Sequence, residues 1–155
     1  MSNQPSAQPS AILSFLEGGH DRLGRSHAAI LALDDATLEA RHDYIQWLFP
    51  LPEPSRAVSG SPVLTAGDVA SLQASAAVQA RMADAAARMR LFYSRTSDWL
   101  APFDHNQLRI TRIVRSLRLI CGDTRADAFR DFALDRVAAA GAPVNARSLQ
   151  FWRES

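Results

Sequence analysis

The 155-residue chain contains no lysine: all 17 of its basic residues are arginine, set against 16 acidic residues for a net charge of +1. A balance so close to zero argues against a dedicated nucleic-acid binder, which normally carries a strong basic surplus. Cysteine is nearly absent as well. With Cys121 alone, neither an internal disulfide framework nor a multi-cysteine zinc knot can form, and the composition fits a reducing, cytoplasmic setting. Long apolar runs are missing. The longest, such as Ile45 with Trp47 to Pro50, falls far short of the ~20 residues that span a bilayer, so no transmembrane segment is expected. Residues 1–10 are rich in Ser, Gln and Pro and lack a basic segment, which reads as a flexible tail and not a signal peptide. β-branched residues are sparse and no stretch alternates with period two, so strands are not expected.

What is present is helical punctuation. The size suits one domain over residues 11–155, able to bury roughly 70% of its unfolded surface without disulfide or metal. Ala11 to Glu17 reads as a short helix closed by Gly18 and Gly19, and Ser26 as the N-cap of His27 to Leu33. Asp34 or Asp35 caps a helix over Ala36 to Phe49, which Pro50 stops. Residues 50–64 hold four prolines and a Ser-Gly-Ser, the main loop. Thr65 with Asp68 resembles a capping box opening an alanine-rich helix to about Tyr93. Asp104 with Gln107 forms a similar pair before Gln107 to Ile120. Asp123 or Thr124 then caps a helix to Ala140, and Asn145 a last one over Ala146 to Arg153. The predicted fold is an all-α, single compact bundle of six or seven helices.

At 100° per residue, Ala36 to Phe49 gathers Leu38, His42, Ile45, Leu48 and Phe49 on one broad face, with Trp47, Asp43 and Glu39 opposite. A helix apolar on both sides is expected at the centre of the bundle. Gln46 stands one turn after His42 and can reach it or a bound group. Two readings compete for His42: a core histidine satisfied by a carbonyl or a carboxylate such as Asp21, or, with Gln46, the lining of a pocket. Trp47 reads first as core, because a large aromatic supplies so much buried area.

The string His42-Asp43-Tyr44-Ile45-Gln46-Trp47-Leu48-Phe49-Pro50-Leu51 is dense in aromatic and polar groups. Upstream stand Gly24-Arg25-Ser26, Ile30-Leu31, Asp34-Asp35 and Leu38-Glu39. Downstream come Leu64-Thr65, Phe92-Tyr93, and Asn106-Gln107-Leu108-Arg109-Ile110-Thr111-Arg112-Ile113 with Ser116-Leu117. From about Leu13 to Trp152 the pattern closely resembles the conserved region of the opioid growth factor receptor family. The resemblance implies a binding domain and not an enzyme. Its vertebrate namesake is a receptor for methionine enkephalin, associated with the nuclear periphery and with restraint of proliferation. No counterpart of the namesake's long C-terminal extension is expected here, and the lysine-free, alanine- and arginine-rich composition looks like that of a GC-rich bacterial genome. The expected ligand is therefore a peptide or a small anionic molecule, with peripheral membrane association a further implication of the resemblance. The residues expected to contact a ligand are Arg25, His42, Gln46, Trp47, Asn106, Arg109 and Arg112; no cofactor, metal or catalytic residue is expected.

Two other functions are weighed. Arg109, Arg112, Arg115 and Arg118 fan over one helix and could grip phosphates of a nucleic acid. A metal-dependent hydrolase of the HD type could draw on His20-Asp21, His27, His42-Asp43, Asp98, Asp104 and Asp123. Cys121 ends a helix, where the negative end of the dipole opposes thiolate formation.

Overall fold

The computed structural model describes residues 10–55 and 58–155. The expected tail therefore lies, but for Ser10, outside the described residues. The elements are α1 (Ala11–Leu16), α2 (His27–Leu31), α3 (Asp35–Ala40), α4 (Ile45–Leu48), α5 (Ala66–Ala74), α6 (Ala76–Arg95), α7 (His105–Cys121), α8 (Asp123–Ala139) and α9 (Ala146–Glu154). The described residues are all-α. They form nine helices where six or seven were expected, because two predicted helices are each broken in two.

The caps follow the sequence closely. Ser26, Asp34 and Asn145 accept from the amides of Ala29, Thr37 and Ser148. Thr65 and Asp68 make both bonds of the capping box. The predicted helix from Thr65 to Tyr93 is interrupted at Ser75, whose extended backbone (ψ 115°) ends α5 while its hydroxyl caps Val78 in α6. Serine competes for the backbone in this way, so an alanine-rich stretch does not guarantee one helix. The helix expected from Gln107 starts at His105 instead, with the Asp104 carboxylate accepting from the Asn106 amide at 2.9 Å. Gln107 does not close a box. Its side-chain amide donates to the carbonyls of Trp99 (3.2 Å) and Ala101 (2.8 Å).

The larger correction concerns Ala36 to Phe49. The chain leaves the helix at Arg41 (φ −89°, ψ 143°) and re-enters only at Ile45, so His42 lies in the break and on no helix face. The centre of the bundle is α7, which packs on α5, α6, α8 and α9 and buries Ile110, Ile113, Val114, Leu117 and Ile120. Residues 44–51 are nevertheless buried without interruption, Trp47 lying edge-on to Phe15 of α1 with ring centroids 5.4 Å apart.

A broken helix leaves carbonyls without amide partners, and burial makes each such vacancy costly, about 1–3 kcal/mol. Side chains of α7 fill them. Arg109 donates to the carbonyls of Leu38 (3.0 Å) and Arg41 (2.6 Å), Arg112 to Phe49 (2.8 Å) and Ser116 to Pro50 (2.8 Å). Positions 109, 112 and 116 share one face at helical spacing, so α7 presents a polar stripe to the frayed backbone of residues 38–50.

His27 is buried beside Phe15, and its Nε2 has no hydrogen-bond partner. Burial, with the nearby Arg81 guanidinium, pushes its pKa below the ordinary 6.5. Below that value the unfolded chain takes up a proton that native His27 refuses, so stability falls as pH drops from about 6.5 through the lower native value. Unfolding free energies by urea titration at about pH 7.5 and about pH 5.5 should therefore differ less in His27→Leu than in the wild type. An equal acid loss in both chains would assign it to other groups.

Candidate functional site

Between the 42–55 segment and α7 lies a cleft of about 400 Å³. His42, Gln46, Arg109 and Arg112 all line it, so four of the seven predicted ligand-contacting residues come together. Leu108, Thr111, Arg112 and Arg115 form the α7 wall, one face at helical spacing, and Glu53 to Ser55 close the other side. Its apolar share comes from Ile45, Leu51 and Leu108.

The polar groups differ in how far they are engaged. Arg109 is buried and its guanidinium touches two carbonyls, the Tyr44 hydroxyl (3.3 Å), Asn106 Oδ1 (3.3 Å) and His42 Nδ1 (3.3 Å), with its charge over the Tyr44 ring. An arginine can only donate, so this contact makes His42 Nδ1 an acceptor and leaves the proton of the neutral ring on Nε2. Burial pushes the Tyr44 hydroxyl up to about 12, and it remains a neutral donor to the Leu38 carbonyl at 2.7 Å. Gln46 donates to the His42 carbonyl (3.1 Å) and towards Ser55 (3.4 Å), but its Oε1 is buried with no partner.

Arg112 is the least satisfied. Its Nε holds the Phe49 carbonyl, Nη2 has no partner, and among the described residues no carboxylate lies within ion-pair distance. Burial pulls its pKa down to about 10, with the Arg115 charge adding to the shift and the Glu53 carboxylate opposing it. Arg115 next to it is paired with Glu53 (Nη1 to Oε2, 3.2 Å), and that hydrogen bond holds the Glu53 carboxyl below its usual range.

The other three predicted residues sit elsewhere. Arg25 grips Asp21 (2.8 Å from Nε) and reaches Asp43 (3.2 Å), tying the 20–26 turn to the break. Asp21 thus serves Arg25 and not His42, and Trp47 is core. Asn106 is buried behind the cleft, donating to both oxygens of Glu39 (3.2 and 2.9 Å) and accepting from the Tyr93 hydroxyl (3.2 Å). Sequence reasoning passed over His105. Its ring meets His42 edge-on at 5.4 Å between centroids, and its Nε2 lies 3.1 Å from Glu39. Its place one residue after the Asp104 cap was the available signal.

Several of the residues behind the two other functions have partners of their own. Of the four arginines on α7, Arg109 is buried, Arg115 is paired with Glu53, and Arg118 bridges Asp123 (2.8 Å) and Asp127 (2.7 Å). Among the candidate hydrolase groups, Asp21 and Asp43 both face Arg25, and His27 is buried against Phe15. Glu39, Asp104 and His105 do cluster, their donor atoms within 4.8 Å of one another. Each is engaged there with Asn106 or with its neighbour in the cluster.

Residues 31–98 match the opioid growth factor receptor (OGFr) conserved region. That match takes in α3, the break and α4 through α6, and the motif at 42–51; the second motif, at 106–117, lies beyond its end. It is thus narrower than the expected span from Leu13 to Trp152. Curated opioid growth factor receptors of rat, mouse and human are each 37% identical to it over 98 residues, covering 52% of this chain. The chain spans only 14–17% of the length of these relatives. No solved structure matches. Among the described residues, no helix is long and apolar enough to cross a membrane.

Proposed function

We propose that the chain is a ligand-binding domain, receptor-like and without chemistry of its own, and that its cleft takes a small anionic molecule. The relatives that share its OGFr conserved region are named as receptors, which fits a binding role. The observation that carries the reading is Arg112: a half-buried cation whose Nη2 is buried without a hydrogen-bond partner and which, among the described residues, makes no ion pair, lining the same cleft as Gln46, whose buried Oε1 is also unpartnered. A carboxylate or phosphate supplies the missing acceptor. Its protonated or N–H-bearing neighbour supplies a donor for Gln46, and the Nε2 proton of His42 adds a second donor at the rim. Arg109 acts as scaffold, since its donors already hold the break.

Thermal unfolding with inorganic phosphate and with succinate, against sodium chloride of equal ionic strength, tests this. Ligand at about a hundredfold over Kd adds about 2.7 kcal/mol, roughly 5–10 °C for a chain of this size. Arg112→Ala should abolish the anion-specific shift while Arg147→Ala keeps it. An equal response to chloride, or an unchanged response in Arg112→Ala, would overturn the reading.

A further inference from the structure

A second hollow, of about 540 Å³, lies on the far side of Leu108 between α7, α9 and the 103–104 turn. Three large apolar side chains stand at it in the open: Phe103 is 81% exposed, Leu108 72% and Phe151 42%. Their exposure follows from the helix pattern. Leu108 lies opposite the core face made by Ile110, Ile113, Val114 and Leu117, and Phe151 is one residue from the buried Trp152. Single exposed apolar residues are ordinary, whereas several around one hollow mark a contact surface.

The charge around the hollow says what kind of contact. Arg147 is exposed, stands 5.4 Å from the Phe151 ring centre, and among the described residues has no carboxylate within ion-pair distance. The hollow's one carboxylate, Asp104, caps the Asn106 amide at 2.9 Å and faces His105 at 3.8 Å. His105, Leu108 and Thr111 also line the cleft. Apolar surface beside Arg147, an exposed arginine without an ion-pair partner among the described residues, is complementary to apolar side chains flanked by acidic ones.

We propose that this face docks an acidic, apolar segment of another protein, its Leu or Phe side chains seated against Phe103, Leu108 and Phe151 and its carboxylates meeting Arg147. The surface is independent of the anion reading. Phe151 touches only the second hollow, so Phe151→Glu leaves the phosphate response of the cleft in place.

Fluorescence anisotropy with three labelled synthetic peptides tests it: one alternating Leu and Phe with Glu, one with Lys for Glu, and one with Ala for Leu and Phe. The first should bind, with the other two weaker by about tenfold or more. Leu108→Glu and Phe151→Glu should each weaken the first peptide by about tenfold, and Arg147→Glu likewise, with unfolding temperatures unchanged because all three side chains are exposed. Failure of the acidic peptide to bind, or equal binding of the lysine peptide, would overturn the proposal. So would a dimer seen by sedimentation and lost in Leu108→Glu, which would give the surface to a second copy of the chain.

Discussion

Arg109→Ala is expected to lower the unfolding free energy by about 2–4 kcal/mol, the sum of two charge-assisted bonds to carbonyls less the desolvation of the guanidinium that disappears. The carbonyl of Arg41 is left without a donor, whereas the Leu38 carbonyl keeps Tyr44 and the Asn106 side-chain Oδ1 keeps Tyr93. The damage should be local first. With the bridge gone, the turn that ends the break loses its anchor, so amide exchange should quicken at Leu48 and Phe49, whose amides bond to Tyr44 and Ile45. Arg109→Lys should recover less than half, because one ammonium cannot fork to carbonyls three residues apart. Urea unfolding with hydrogen exchange decides it. A loss below about 1 kcal/mol would mean that water replaces the side chain and that the break holds itself.

Trp152→Ala should cost about 3–5 kcal/mol, roughly 10 °C in the unfolding midpoint. Trp152 is fully buried, tilted against Trp99 at 6.4 Å, and its Nε1 donates to the Gln107 carbonyl at 3.1 Å. It thereby locks α9 onto α7. Asn145 and Ser148 reinforce the joint by donating to Gln107 Oε1 at 3.0 and 3.2 Å. Trp152→Phe should lose about 1–2 kcal/mol, keeping most of the apolar contact but not the hydrogen bond. Differential scanning calorimetry separates the outcomes. If Trp152→Ala melts only a minor early transition and leaves the main one in place, α9 is an appendage and the cooperative unit ends before it.

The two experiments probe one arrangement from opposite ends. α7 is apolar where it meets α6 and α8, but towards residues 38–50 its contacts are guanidinium and hydroxyl groups on bare carbonyls. This explains why a region that packs as core can still open onto a cleft. Backbone that is not paired within a helix must be paired by side chains, and those side chains bring charge to the surface of the core. Arg112 sits where that stripe meets solvent, half in each role.

Much of the fold could be read from the chain itself. Caps at Ser26, Asp34, Thr65 and Asn145 stand where the residue types demanded, since a side-chain oxygen beside free first-turn amides is a local bargain needing no tertiary partner. The all-α class was set in the same way, by spacing and by the lack of alternation. The motif at 42–51 was legible as unusual, and its His42 and Gln46 do converge with Arg109 and Arg112 on one cleft. Its shape was not. Nothing local says that the helix from Ala36 must open at Arg41, because the compensating donor is Arg109, 68 residues further on. The same distance hid the difference between Arg25, which serves the carboxylates of Asp21 and Asp43, and Arg112, which among the described residues makes no ion pair.

Composition and local pattern therefore determined the helical class, most of the boundaries and the residues worth watching, because capping and amphipathic burial act over a few residues. Tertiary structure alone decided which arginines are scaffold and which face the cleft. The reason is physical: an arginine's role depends on where the nearest unpaired acceptor lies, and here those acceptors are carbonyls exposed by a break that only the packing of α7 makes tolerable.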